Sequence, residues 1–246
     1  MLKAHHEYPV LDIGLLLCDD VPEDGRERFG DYAGMFSRAI SAVDQDIRLT
    51  PYDAYLGELP PRPEDHAGYL ISGSGASVFE DKAWIRDTME FVRRCQDARI
   101  RVVGICFGHQ LIAHALGGRT VRADNGWGFG IHSARLTDNP DWIGADDPEF
   151  RLVVIHQDQV DVLPPGFSTV ASNDFCPHSV ITDHDLMLGI QGHPEFSKEY
   201  CAYRADFRRD LIGEAKYRET MEQLANNDTQ SGDVFGWVSR FFRRAA

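Results

Sequence analysis

Nothing in the sequence approaches the roughly 20 consecutive apolar residues that a membrane-spanning helix requires. Basic residues are scarce as well. Lys and Arg number 25 against 39 Asp and Glu, and the resulting net charge of −14 argues against nucleic acid or an anionic membrane as a partner. Cysteine is sparse and scattered, with Cys18, Cys95, Cys106, Cys176 and Cys201 forming no C-x-x-C pair. That odd, dispersed set speaks for reduced thiols rather than a disulfide framework. The opening MLKAHHEYPVLDIGLLLCDD has a short apolar run that meets acids at once, unlike a signal peptide. The expectation is a cytoplasmic protein. Repeats, low-complexity tracts and a convincing linker are also missing.

What is present is enough for a full core: 246 residues, 43% of them hydrophobic, with 14 phenylalanines. Segments 11–18, 46–50, 67–72 and 100–105 read as strands, and 32–43 and 83–98 as amphipathic helices. Residues 19–31 and 57–67, rich in acids, Gly or Pro, read as loops. This alternation predicts an α/β fold, an open and mostly parallel sheet with helices on both faces. Short β-like segments at 130–137, 151–155, 167–171, 178–182 and 186–191 predict further strands, some antiparallel. Segments 197–212 and 234–244 read as helical. The expected organisation is one domain over 1–212 and a C-terminal helical extension over 213–246, packed on it.

The stretch GICFGHQLIAHALGG, 104–118, carries the chemistry. Cys106 falls where an apolar strand gives way to a helix, with glycine two residues away on each side. This is the G-x-nucleophile-x-G elbow, with Cys in place of Ser. A helix N-terminus favours thiolate over thiol, and its free N–H groups can hold an oxyanion. Such a nucleophile needs a base, and the base needs a partner that orients it. Gly192-His193-Pro194-Glu195-Phe196 follows an apolar strand and offers both, with Glu195 placed to hold His193 while His193 faces Cys106.

Together, G-I-C106-F-G-H-Q110 and G-H193-P-E195-F resemble the nucleophile and His-Glu motifs of the class I glutamine amidotransferases. Leu70-Ile-Ser-Gly-Ser-Gly-Ala-Ser-Val78 is similar to that family's oxyanion strand–loop, with Ser74 and Gly75 standing where Gly and Pro are usual. The resemblance spans about residues 11–200. It implies a flavodoxin-like glutaminase domain in which Cys106 forms a γ-glutamyl thioester, His193 moves protons and Glu195 orients it. It also implies oxyanion donors at the backbone N–H groups of Ser74 and Phe107, and a Gln110 that helps hold the γ-glutamyl group. His156-Gln-Asp158-Gln-Val160 resembles the family's H-x-D-x-V segment beside the substrate pocket, although bonds to loop backbone would explain those two side chains equally well. No cofactor and no metal are implied.

Ser72-Gly-Ser-Gly-Ala-Ser-Val-Phe-Glu-Asp-Lys-Ala-Trp-Ile85 further resembles stand-alone GMP-synthase-like amidotransferases, a group that includes γ-glutamyl peptidases. Three readings follow: a stand-alone hydrolase of γ-glutamyl compounds, a glutaminase subunit serving a separate synthetase, and an inactive binding module. Gly73-Ser-Gly75 is no dinucleotide loop, because Val78 stands where the third glycine belongs. His156-x-Asp158 and His193-x-Glu195 as metal ligands would leave the elbow unexplained. Loops 19–31 and 122–130, with Trp127 and Phe129, are candidates for the pocket entrance. Trp84, Phe91 and the terminal aromatics are read as packing residues.

Overall fold

A computed structural model describes residues 9–244. Its centre is a nine-stranded sheet in the order β2-β1-β3-β4-β11-β10-β9-β6-β7. The strands β1 (Leu11–Leu16), β2 (Ile47–Tyr52), β3 (Gly68–Ile71), β4 (Arg101–Ile105) and β11 (Met187–Ile190) run parallel. Their order is the flavodoxin-like one. The strands β6 (Gly128–Leu136), β7 (Glu149–His156), β9 (Ser168–Ser172) and β10 (Val180–Thr182) extend the sheet antiparallel. Pro51, which has no N–H to donate, sits on β2 at one edge, where a strand tolerates it.

Side-chain alternation sorts the core onto two faces. On β3, Tyr69 and Ile71 point to one side and Leu70 to the other; on β4, Val102 opposes Val103 and Ile105. The helices α3 (Ala83–Asp97) and α4 (Phe107–Ala115) cover the Tyr69 face. The opposite face is covered by α2 (Tyr32–Val43), α5 (Lys198–Phe207) and α7 (Ser231–Arg243). Asp31 caps α2 by accepting from the Gly34 N–H at 2.7 Å, and Ser197 caps α5 through the Tyr200 N–H at 3.1 Å. Helix α7 delivers Phe235, Trp237, Phe241 and Phe242 to the core. It is also clasped to the end of α2, where Arg243 donates to both oxygens of Asp44 at 2.6 and 2.9 Å.

Three segments differ from the sequence reading. Residues 19–31 are not all loop, because α1 (Glu23–Phe29) forms there; a methyl on its Gly25 would come 2.9 Å from the Tyr203 ring of α5. A second ladder pairs β5 (Arg119–Arg122) with β8 (Asp158–Val162), so the segment around Asp158 is a strand. The helix expected over 197–212 is two, with α6 (Arg209–Asn226) following α5 and bending at Gly213, where φ is +78°.

Candidate active site

Register brings the site together. Gly104 and Ile105 of β4 lie beside Gly189 and Ile190 of β11, and Ile71 of β3 lies beside Gly104. The carboxyl ends of three neighbouring parallel strands therefore share one edge, where ligands of open α/β sheets bind. The loop 72–75, Cys106 and the segment 191–195 all start there.

Cys106 adopts φ +51° and ψ −100°, a conformation rare outside glycine, at the N-cap of α4. Both flanking glycines are sterically required. A methyl on Gly104 would stand 2.3 Å from the Gly108 carbonyl, and one on Gly108 would stand 2.5 Å from the Ile71 oxygen. The helix can therefore cross the strand only with both positions bare. Phe107 opens α4, so its N–H belongs to the first turn, whose donors have no intrahelical acceptor.

His193 lies against this turn. Gly73 touches both residues, since a methyl there would fall 2.9 Å from His193 Cε1 and 3.7 Å from Cys106 Cβ. The Nδ1–H of His193 donates to Glu195 Oε1 at 2.7 Å, and the ring also hydrogen-bonds to Cys106. Phe196 stacks on the imidazole at 4.2 Å with the planes 10° apart, which fixes its tilt. Both His193 and Glu195 are buried. Burial alone would lower the histidine pKa; the charges of Cys106 and Glu195, and hydrogen bonds to both, outweigh it and hold it raised. By contrast, burial drives the thiols of Cys95, Cys176 and Cys201 up to about 12, and that of Cys18 up as well.

The loop 73–76 holds its shape without the family's usual Gly-Pro. Ser74 Oγ accepts from the Ala76 N–H at 3.1 Å, a serine turn, and Asp19 Oδ2 accepts from the Gly75 N–H at 2.7 Å. Ser74 lines the cleft that contains Cys106. Gln110, His156 and Asp158 line the same cleft. Gln110 Nε2 donates to the Asp158 carbonyl at 2.8 Å, and His156 Nδ1–H donates to that carbonyl at 3.2 Å. Burial lowers the His156 pKa to about 3, so this imidazole is neutral. The Asp158 carboxylate accepts from the Ser77 hydroxyl and, at 3.3 Å, from Arg122.

Some expectations need correction and some residues went unnoticed. Trp127 does line the cleft, but Phe129 is fully buried in the core and forms no entrance. Trp84 packs on Phe107 and Phe91 on Tyr69. Gln191 escaped the sequence reading: its Nε2 donates to Cys106 Sγ at 3.6 Å while its Oε1 accepts from Gln110 at 3.2 Å. A polar residue ending the buried strand β11, two before His193, was the available signal. Asp19, Arg204 and Arg208 also reach the site, from segments that read as an acidic loop and a helix.

The family model for glutamine amidotransferase class-I matches residues 29–201. The chain belongs to this family. The amidotransferase is 29% identical to gamma-glutamyl peptidase 4 of Arabidopsis thaliana over 75% of this chain and 76% of that one. It is 32% identical to a glutamine-hydrolysing GMP synthase of Thermomicrobium roseum, over 67% of this chain but only 29% of the synthase. Its fold superposes on a glutamine amidotransferase from Thermotoga maritima with TM-score 0.75 at 18% identity, covering 94% of this chain and 99% of that structure. Among the described residues no helix is long and apolar enough to cross a membrane, and no cluster of three His, Cys, Asp or Glu is gathered for a metal ion.

Proposed function

We propose that this amidotransferase hydrolyses the γ-glutamyl bond of a small γ-glutamyl compound, with Cys106, His193 and Glu195 as its catalytic residues and without a synthetase partner. The observation that carries the reading is the contact of a thiol at a strained strand–helix turn with an imidazole that is itself held by a buried carboxylate.

Cys106 attacks the γ-carbonyl as thiolate, and the N–H groups of Ser74 and Phe107 receive the oxyanion. The imidazolium of His193 gives its proton to the departing amine as the tetrahedral adduct collapses to the γ-glutamyl thioester. His193, now neutral, takes a proton from water, the hydroxide attacks the thioester, and glutamate leaves as the thiolate re-forms. Glu195 fixes the tautomer that keeps Nδ1–H on its own side. Gln110, His156 and Asp158 hold the γ-glutamyl half in the cleft beside the sulfur. Gln191 supports the sulfur by donating to it through Nε2.

Similarity along three quarters of a γ-glutamyl peptidase, against under a third of a GMP synthase, favours independent hydrolysis. The synthase similarity keeps a second reading in view, a glutaminase subunit that delivers ammonia to a separate synthetase. Glutamate release by the purified chain decides between them, measured on glutamine, glutathione and γ-glutamyl amides with Cys106→Ala as the control. Turnover that vanishes in the variant supports the hydrolase. No turnover with a still-reactive Cys106 points to the missing partner.

A further inference from the structure

Two clefts meet beside Cys106, at the loop that carries Ser74 and Gly75. One holds Cys106, Gln110, Arg122 and Asp158; the other holds His193, Glu195, Asp19, Arg204 and Arg208. Ser74, Gly75, Ile155 and Arg208 line both. Acyl transfer to sulfur divides a substrate at its carbonyl carbon. The acyl half stays on the Cys106 side, and the amine must leave within reach of the imidazole that protonates it. On the hydrolase reading above, the leaving group therefore occupies the His193 cleft.

The charges in that cleft are unequal. Glu195 is matched by His193, and Asp19 is held by the Gly75 N–H. Arg204 is buried, with the Tyr200 hydroxyl and Asp19 acting on its charge, and Tyr200 donates to the Tyr32 hydroxyl at 3.2 Å. Arg208 is half-buried; its guanidinium makes no hydrogen bond or ion pair among the described residues, although the charges of Asp19 and Cys106 act on it. Its guanidinium lies 5.4 Å from the centroid of the Trp127 ring, and Nη2 would meet a methyl on Gly75 at 3.6 Å. A planar, permanently charged fork is thus held by ring stacking beside the oxyanion loop, with its donors unspent, in a chain of net charge −14. Guanidinium in that situation binds carboxylates in preference to neutral groups.

We propose that Arg208 is a specificity-determining residue that binds a carboxylate on the leaving group, so that the enzyme prefers γ-glutamyl peptides with a free C-terminal carboxylate over glutamine and γ-glutamyl amides. This assignment rests on the hydrolase reading. It asks nothing of Arg208 in the chemical steps themselves.

The test compares γ-glutamyl-alanine with γ-glutamyl-alaninamide, which differ only in that carboxylate. Wild-type enzyme is expected to favour the acid in kcat/KM by about tenfold or more, the size of one charge-assisted hydrogen bond. Arg208→Gln brings the acid-to-amide ratio close to one, mainly through KM for the acid, and Arg208→Lys restores part of it. A wild-type ratio near one overturns the assignment, as does an equal loss on both compounds in Arg208→Gln. Absence of turnover on every γ-glutamyl compound overturns the hydrolase reading and the assignment together. Alkylation of Cys106 supplies a readout that needs no turnover. Arg208→Gln should slow iodoacetate, an anion, severalfold relative to iodoacetamide, and an unchanged rate ratio overturns the anion site.

Discussion

Replacing Gly104 with alanine puts a methyl at the point where α4 crosses β4. Its Cβ would stand 2.3 Å from both the carbonyl carbon and the oxygen of Gly108, and 2.6 Å from the His109 nitrogen. Ordinary contact begins at 3.4 Å, so one backbone must give way by about 1 Å. The strand is pinned on both edges, to β3 and to β11, which leaves α4 to move and to carry Phe107 and the Cys106 turn with it. Overpacking of this kind costs about 1–3 kcal/mol when side chains can adjust, and with backbone on both sides the upper end, roughly 3 kcal/mol, applies. At about 2–4 °C per kcal/mol for a chain of this size, Tm falls by roughly 6–12 °C. A shift of about 1 Å in reacting groups can cost about 100-fold in rate, so kcat/KM on the best γ-glutamyl substrate should drop about that much well below the new Tm. Calorimetry and glutamate release measure the two effects. Gly232→Ala is the control, since nothing lies within 4 Å of the methyl it would add. A Gly104→Ala protein within ~1 °C of the wild-type Tm and within about threefold of its turnover would falsify the close crossing.

Three further perturbations follow from the same geometry. Glu195→Gln leaves a hydrogen-bonding side chain but removes the charge that helps hold the His193 pKa raised; a raised histidine stabilises the fold below its unfolded pKa and loses that contribution as pH rises through the native value. The variant should therefore be less stable by about 3 kcal/mol near pH 5–6.5, with a gap that narrows at higher pH in a series of thermal melts. Asp44 behaves in the opposite sense: burial would raise its pKa, but the bonds from Arg243 and Ser239 lower it, so its contribution is present above an unfolded value of ~3.9 and fades as pH falls through the native one. Asp44→Ala should cost about 1–3 kcal/mol at pH 7 by urea unfolding, and progressively less as pH falls below ~4. Finally, with the other four thiols buried and their pKa values raised, brief native-state treatment with iodoacetamide should add one label per chain by mass spectrometry, and none in Cys106→Ala.

The parallel half of the fold and the residues of the elbow were legible because their signals are local. β-Branched runs, amphipathic helices and two glycines flanking a cysteine each report on their immediate neighbours. The segment 23–29 carried no such signal: Glu-Asp-Gly-Arg-Glu-Arg-Phe has a single buried residue, Gly25, against the ring of Tyr203, far along the chain. Pairing of β5 with β8 is equally remote, so the residues around Asp158 looked like loop. Arg204 and Arg208 fell in a segment that read only as helical, with no signal for which way they face. Only the folded chain reveals that the C-terminal end of α5 leans over the loop 73–76, close to a tryptophan 81 positions earlier than Arg208 in the sequence. Phe129 failed in the reverse direction, since proximity in sequence to Trp127 does not set which side of a strand a ring takes.

The helix that closes the core is made late. During synthesis, β1, α2 and β3 emerge with one face prepared, but the aromatic set on α7 that covers this face arrives some 160 residues after β3. Until then Phe36 of α2 lacks its partner Phe235, and the growing chain presents an apolar surface of the sort that chaperones bind. Arg243 then ties α7 to the Asp44 carboxylate and reaches the Pro9 carbonyl at 3.1 Å, joining α7 to the segment that leads into β1. A transcript truncated upstream of α7 would thus produce a protein holding every residue of the elbow and its histidine, yet with the part of one face that α7 covers left bare, a target for degradation.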